Sequence, residues 1–274
     1  MADRGESANM TRTATRHPWV VTRSVWYALF LREAIARTMT DRMGWFWMVA
    51  EPVLFTLIMV GIRSFIHADS LLIGAPFLPW MVVGLMGFFL VREGMTRGMG
   101  AIRSSQALFA YRQVVPSDPV IVRVALEGLL RSFIFLIFIV GGLLLKEEAM
   151  APDDALIALS WWLALWFLGL ALGLVVSVLA TLVVELAIVL KMVMMPLMIL
   201  SGVIFPIQVA PHWAQQYLLL NPVVHGLEYL RTGFFSSYGK VSGTSGVYFW
   251  LVTLALMSLG LILHLRFKHQ LVAQ

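Results

Sequence analysis

The chain has 274 residues, of which 60% are hydrophobic and 13% are charged. A soluble domain of this length usually carries about 25% charged residues, so the composition indicates lipid as the main solvent. Cysteine is absent, which excludes disulfides and cysteine-bound metals, and the formal charge of +5 is spread around apolar segments and forms no basic stripe for nucleic acid.

The N-terminal region precedes the first apolar segment. Residues 1–16 hold no apolar run of the kind that a secretory signal requires, so we expect a cytoplasmic tail. Residues 17–43 predict a helix in which Trp19 and Trp26 share a side with Arg23. Mixed Trp and Arg suit the lipid headgroup layer, where arginine can reach water. We interpret this segment as an interfacial helix, with a plain cytosolic helix as the alternative.

Six segments are apolar enough to cross a membrane, which requires roughly 20 helical residues. The predicted spans are residues 45–62, 77–91, 124–145, 155–179, 186–205 and 247–265. Lysine and arginine concentrate beside one set of span ends, which places both termini in the cytoplasm, including the tail 266–274. The sequence therefore predicts an all-α integral membrane protein with six transmembrane helices between residues 45 and 265.

Two connections between spans are unusually long. Residues 92–122 form a predicted cytoplasmic loop, and long loops in compact proteins tend to be functional. Residues 206–246 follow the fifth span and are too apolar for a free loop, yet Asn221 and Pro222 break them into short pieces. A pair of re-entrant helices at membrane depth would satisfy their backbone, and a helical cap outside the bilayer is the alternative.

Charged residues occur within the predicted spans. Glu51 precedes Pro52 in the first span, and Arg123, Glu127 and Arg131 lie at i, i+4 and i+8 on one face of the third. A charge at the centre of a membrane helix costs roughly 2.5–3.5 kcal/mol, so each needs a partner, and we expect Glu51 to face the arginines of the third span. The face is either a charged vestibule of a polar pathway or an ion-pair ladder that fixes the helix.

The fourth span places Trp162 and Trp166 on one helix face. Such rings can stack on the sugars of a polysaccharide, or they can face lipid and the membrane interface.

No catalytic residue, metal site or bound cofactor is predicted. The string from Gly233 to Val241 has one residue too many for a phosphate-binding loop and has Val where Ser or Thr should bind the metal. The metalloprotease and serine hydrolase motifs are absent as well.

Three stretches together resemble a known family. They are Arg42, Gly44, Trp47, Glu51 and Pro52; residues 107–116 with Arg123 and Glu127; and residues 201–206 with Pro211, Asn221, Pro222, His225, Glu228 and Arg231. In order and spacing, over nearly the whole chain, these stretches resemble ABC-2-type transporter permeases, specifically the capsular polysaccharide exporters of Gram-negative bacteria. The Arg-rich N-terminus departs from the family pattern.

The resemblance implies a non-enzymatic inner-membrane subunit that forms a homodimer with two cytoplasmic ABC ATPase subunits, which bind the ATP and Mg. The cargo would be a lipid-linked polysaccharide, and a periplasmic polysaccharide co-polymerase or adaptor and an outer-membrane channel would be further partners.

The resemblance also implies three groups of site residues. The substrate pathway would hold Glu51, Arg123, Glu127, Arg131, Trp162 and Trp166; ATPase coupling would use Arg92, Arg97, Arg103, Tyr111, Arg112 and Asp118; and the re-entrant exit would use Asn221, Pro222, His225, Glu228 and Arg231. An ABC-2 exporter of O-antigen, teichoic acid or a drug, and a membrane enzyme acting on lipid-linked sugars, remain the alternatives. A secondary transporter is disfavoured because no internal repeat is visible.

Overall fold

The computed structural model describes residues 18–40, 42–66, 71–72, 74–111 and 113–272. The predicted tail 1–16, the end of the C-terminal tail and Arg112 lie outside the described residues.

The described chain is almost entirely helical. The α-helices are α1 (Pro18–Thr40), α2 (Arg42–Ile66), α3 (Phe77–Met99), α4 (Ser117–Leu144), α5 (Ala155–Leu182), α6 (Val184–Leu200), α7 (His212–Leu218), α8 (Pro222–Phe234), α9 (Gly246–Arg266) and α10 (Lys268–Val272). Short 3-10 helices occur at Arg103–Ala110, Glu148–Met150 and Ile207–Val209. The strands β1 (Leu71–Leu72) and β2 (Ala75–Pro76) form a two-stranded antiparallel pair in which Leu71 faces Pro76 and Leu72 faces Ala75.

Four helices within the described residues, α3, α4, α5 and α9, are long and apolar enough to cross a membrane. This confirms an all-α membrane protein. The predicted first span corresponds to α2, and the predicted fifth span corresponds to the 17-residue α6. The apolar part of α2, Phe46–Ile62, and the whole of α6 are shorter than those four helices. Six as the number of spans therefore stays a prediction.

Helix α3 lies at the centre of the fold and packs against α4, α5 and α8. It crosses α5 at very short range, because a Cβ atom on Gly98 would lie 2.8 Å from the Cα of Gly173. Gly94 and Gly169 meet in the same way one helical turn away. Only glycine permits such a backbone approach, so this crossing fixes α3 against α5.

The connection between α3 and α4 is shorter at both ends than the predicted loop 92–122. Helix α3 continues to Met99, and α4 already begins at Ser117 although Pro119 follows. Proline is tolerated in the first turn of a helix, where its missing N–H would have no partner, so Pro119 does not delay the start of α4.

Helix α1 runs in the same direction as the first turns of α4. Trp26 contacts Asp118, Glu33 pairs with Arg123, and Arg37 pairs with Glu127 further along both helices. Helix α1 is thus packed along its length against the bundle. Its location in the headgroup layer stays a prediction.

Two aspartates before α5 tie the start of α5 to the end of α8. The Asp154 side chain accepts hydrogen bonds from the amides of Leu156 and Ile157 and caps α5, and its own amide donates to the Gly233 carbonyl. The Asp153 carboxylate accepts from the Ser236 amide, which lowers the pKa of Asp153.

The predicted break at Asn221 and Pro222 is confirmed, because α7 ends at Leu218 and α8 begins at Pro222. Asn221 caps α8 by accepting from the Val223 amide, and its Nδ2 donates to Ser201. The membrane depth of these helices stays a prediction.

Candidate functional site

Charged side chains from four helices meet beside α3. We call this group the charged cluster; it comprises Arg37 of α1, Glu51 of α2, Arg92, Glu93 and Arg97 of α3, and Glu127 and Arg131 of α4. Four guanidinium groups face three carboxylates, so one positive charge is left over.

Glu93 links the arginines of the cluster. Its carboxylate lies 2.8 Å from Nη2 of Arg92, 3.5 Å from Nε of Arg97 and 3.6 Å from Nη2 of Arg131. The side chain is only 12% exposed, so these contacts offset the cost of removing a carboxylate from water.

Glu127 is the second shared carboxylate. It lies 3.5 Å from Arg37, 3.6 Å from Arg97 and 3.5 Å from Arg131. Arg131 is 2% exposed, which confirms that its charge enters the bundle and finds acidic partners. The Nε and Nη1 atoms of Arg131 make no hydrogen bond among the described residues. The contact of Nε with Glu127 at 3.5 Å is therefore an ion pair without a hydrogen bond.

The prediction that Glu51 contacts the arginines of the third span was wrong. Its carboxylate lies 2.8 Å from Nη2 of Arg92 on α3, and the arginines of α4 bind other groups. The error follows from the helix boundary, because ending the second span at residue 91 put Arg92 in a loop. In the structure Arg92 lies on α3 with its guanidinium 4.3 Å from the centre of the Phe89 ring.

The charged face of α4 makes two kinds of contact, one within the charged cluster and one with α1. Its deeper part, Glu127 and Arg131, forms an i,i+4 ion pair within the charged cluster. Its first turns hold α1, because Arg123 lies 2.7 Å from Glu33 and Asp118 accepts a hydrogen bond of 2.9 Å from Trp26.

A cavity of about 400 Å³ borders the charged cluster between α2, α3 and α6. Its charged lining residues are Glu51, Arg92, Glu93 and Lys191. Thr96 also lines it, and the other lining side chains are phenylalanines and methionines. A cavity of this kind can hold an amphipathic group with negative charge, because the leftover charge of the cluster and Lys191 are both positive.

The predicted tryptophan face is part of the contact between α4 and α5. Trp162 is 5% exposed, stacks on Phe135 at 4.5 Å between ring centroids and donates to the Ser132 hydroxyl. Trp166 donates to the Val124 carbonyl at 3.1 Å and its ring is partly exposed. Trp162 therefore presents no open ring face, and a role of either ring in the pathway stays a prediction.

The predicted coupling residues are separated by the fold. Arg103 and Tyr111 are exposed in the segment between α3 and α4, and Tyr111 is 67% exposed. Arg92 and Arg97 instead belong to the charged cluster, and Asp118 is buried at the start of α4. The coupling role of each stays a prediction.

Two of the predicted exit residues form a buried ion pair. Arg231 is 0% exposed, contacts Glu228 at 3.2 Å, donates to the Gly202 carbonyl at 2.9 Å and lies 3.7 Å above the Trp80 ring. Glu228 also accepts from the Tyr238 hydroxyl at 2.8 Å. Both residues hold the segment between α6 and α9 in place.

His225 is the third of these buried residues. Its Nδ1 accepts from the Ser245 amide at 2.9 Å, so Nε2 carries the proton and donates to the Leu219 carbonyl at 2.8 Å. The imidazole thus links the residue that follows α7 to the residue that precedes α9. A role of these residues at an exit stays a prediction.

Glu93 and Glu33 were not among the residues singled out from the sequence. Glu93 sits next to Arg92 and four residues before Arg97, which is a helical ion-pair spacing that could have identified it. Glu33 carries no such signal, because its partner Arg123 is distant in the chain. Within the described residues, no group of three His, Asp or Glu side chains could hold a metal ion.

The central buried helix, the charged cluster and the adjoining cavity define a helical membrane protein with a polar interior. Residues 24–235 match the family described as ABC-2 type transporter. The chain belongs to this family and is a transport permease, so its expected membership is confirmed.

Three relatives cover most of the chain. The polysialic acid transport protein KpsM of Escherichia coli is 32% identical over 86% of this chain and 91% of its own length. The capsule polysaccharide export inner-membrane protein CtrC of Neisseria meningitidis serogroup B is 29% identical over 90% and 92%. The capsule polysaccharide export inner-membrane protein BexB of Haemophilus influenzae is 28% identical over 86% and 88%.

Proposed function

We infer that this chain is the membrane-spanning subunit of an ABC exporter that moves capsular polysaccharide across the inner membrane. The observation that carries this conclusion is the match to capsule export proteins along most of both chains. The charged cavity beside α3 supports it, because it offers positive charge in the interior of an apolar bundle.

ATP hydrolysis in this proposal takes place in a separate subunit that binds ATP and Mg. The segment between α3 and α4 is suited to contact that subunit, since Arg103 and Tyr111 are exposed there. This segment is also tied to the bundle, because Arg103 donates to the Thr181 carbonyl of α5 and Arg32 of α1 donates to Ser105. A force on the 3-10 helix Arg103–Ala110 would therefore reach α1 and α5 directly.

A homodimer would enclose the cavity. The cavity lies between α2 and α6, and both helices expose large apolar side chains: Leu54, Leu57 and Ile58 on α2, and Ile188, Met192 and Met195 on α6. Isolated exposed apolar residues are ordinary in a membrane protein, but these two rows flank a charged cavity that lipid alone would cover poorly. A second copy with its own ATPase subunit is the occupant that we propose.

The remaining parts of the proposal concern orientation. With both termini in the cytoplasm, α7 and α8 would lie on the periplasmic side as the predicted re-entrant exit. A periplasmic adaptor and an outer-membrane channel would receive the polymer there. The exposed rings of Trp213 and Tyr217 on α7 support a contact surface on this side.

The test uses the full chain in proteoliposomes together with its cognate ABC ATPase subunit. We expect no hydrolysis from the chain alone and hydrolysis by the complex that capsule glycolipid stimulates. Lys191→Gln should weaken this stimulation by up to about fivefold, the value of one exposed charge contact, whereas Lys268→Gln should not.

The outcomes separate cargo from mechanism. Stimulation by O-antigen glycolipid in place of capsule glycolipid would make the cargo assignment wrong but keep the exporter. Failure to associate with the ATPase would make the ATP-driven mechanism wrong. Equal effects of the two lysine variants would show that the cavity does not recognise the charge of the cargo.

A further inference from the structure

Two cavities on the outside of the bundle share residues of α4. One, of about 370 Å³, lies between α1 and α4, and the other, of about 220 Å³, lies between α4 and α5. Ile121 and Ala125 line both cavities, so the two adjoin across α4. We call this pair of adjoining cavities the lateral groove.

The α1 end of the lateral groove is aromatic and basic. Trp19, Trp26, Tyr27 and Phe30 line it together with Arg23, whose side chain is exposed. Among the described residues, no carboxylate forms an ion pair with Arg23. Trp and Tyr beside an exposed arginine are typical of the headgroup layer of a membrane.

The α5 end of the lateral groove is lined by apolar side chains alone. Leu163, Trp166, Phe167 and Leu170 face Ile121, Val124 and Ala125 there. The wall is rigid, because the Trp166 ring nitrogen donates to the Val124 carbonyl and a Cβ on Gly128 would collide with the ring. This end lies between α4 and α5, two of the helices that are long and apolar enough to span the membrane.

We propose that the lateral groove binds one anionic glycerophospholipid. Its phosphate contacts Arg23 between the aromatic rings, and one acyl chain lies along α4 toward Leu163 and Phe167. Charge complementarity favours this occupant, because a guanidinium with no acidic partner in the described part of the chain, at one end of an apolar groove, matches a molecule that is negative at one end and apolar at the other.

Occupancy of the lateral groove would hold α1 against α4. Helix α1 also carries Arg32, which donates to Ser105 in the segment between α3 and α4. A lipid bound between α1 and α4 would therefore stabilise the position of a helix that contacts the cytoplasmic segment. The site depends on neither the cargo nor the ATPase, so its test stands apart from the test of export.

The test measures lipid retention. The full chain is placed in nanodiscs with equal amounts of phosphatidylglycerol and phosphatidylethanolamine, and the retained lipids are counted by native mass spectrometry after release from the nanodisc. We expect one phosphatidylglycerol to be retained preferentially. Arg23→Gln should reduce this retention by about fivefold, since one basic residue near anionic lipid is worth about that factor, and Arg23→Lys should restore most of it. Arg266→Gln, at an exposed arginine on α9, is the matched control.

A second variant tests the apolar end. Ala125→Phe fills the lateral groove from α4 and should abolish retention, whereas Leu261→Phe on the exposed face of α9 should not. Size-exclusion profiles confirm that each variant is folded, and Arg23→Gln alone decides the outcome if Ala125→Phe does not fold. Equal retention of both lipids, or equal loss in Arg23→Gln and Arg266→Gln, would overturn the proposal. Displacement of phosphatidylglycerol by capsule glycolipid would also overturn it, because the groove would then belong to the lipid anchor of the cargo.

Discussion

Replacing Glu93 with glutamine should destabilise the protein far more than the same change at Glu51, although both carboxylates contact Arg92. At an effective dielectric constant of about 20, charges 3.5 Å apart, as for Glu93 and Arg97, attract by about 5 kcal/mol. Desolvation offsets part of this attraction, but removing one partner of a buried ion pair typically costs about 3–5 kcal/mol, because the other charge stays buried.

Exposure decides the difference between the two positions. The Glu93 side chain is 12% exposed, whereas the Glu51 side chain is 39% exposed. When Glu93 is neutralised, Arg131 keeps only Glu127 as an acidic partner. We expect Glu93→Gln to lower the free energy of unfolding by about 3 kcal/mol and Glu51→Gln by at most about 1 kcal/mol.

The assay is unfolding of the purified chain in mixed micelles with increasing dodecyl sulfate, followed by circular dichroism. A double variant, Glu93→Gln with Arg131→Met, should lose less than the sum of the two single changes, because no charge is then left unpaired. Equal shifts for Glu93→Gln and Glu51→Gln, or full additivity in the double variant, would refute the argument that the charged cluster is a buried network.

Two further substitutions test the packing of the fold by thermal unfolding of the same preparations. Arg231→Met should cost about 3–5 kcal/mol, because it leaves Glu228 buried without its cation, and an unchanged melting midpoint would show that the pair is not desolvated. Gly98→Ala should cost at least about 1–3 kcal/mol, because the backbone of Gly173 leaves no room for a Cβ, whereas Gly141→Ala, with open space around it, should be neutral or stabilising by up to about 1 kcal/mol. Similar midpoints for the two alanine variants would contradict the close crossing of α3 and α5.

The apolar segments could be predicted from the sequence because the membrane imposes a length on them. The predicted last span, 247–265, differs from α9 by one residue at each end. The second span was predicted too short, since hydropathy falls at Arg92 while α3 continues to Met99. In a hydropathy profile, a charged residue inside a buried helix resembles the end of that helix when its ion-pair partners lie on other helices.

The partners of the charged residues could not be predicted for the same reason. The i,i+4 spacing correctly paired Glu127 with Arg131, because both lie on one helix. Arg123 has the same spacing to Glu127, yet the structure pairs it with Glu33 of α1. Spacing along one helix predicts which side chains share a face of that helix. Which residues of other helices contact that face depends on how the helices pack, and the spacing does not show this.

The charged cluster has a property that suits a protein that must change shape. Glu93 and Glu127 each lie near three arginines, and Arg131 and Arg97 contact both carboxylates. If α1 moved away from α4, Arg37 would leave Glu127, but two arginines would still neutralise that carboxylate. For Glu127, the cost of losing Arg37 is therefore below the cost of isolating a buried charge, which is several kcal/mol. Shared carboxylates therefore keep Glu93 and Glu127 neutralised when one helix of the charged cluster shifts, whereas the separate Glu33–Arg123 pair would have to break if α1 moved away from α4.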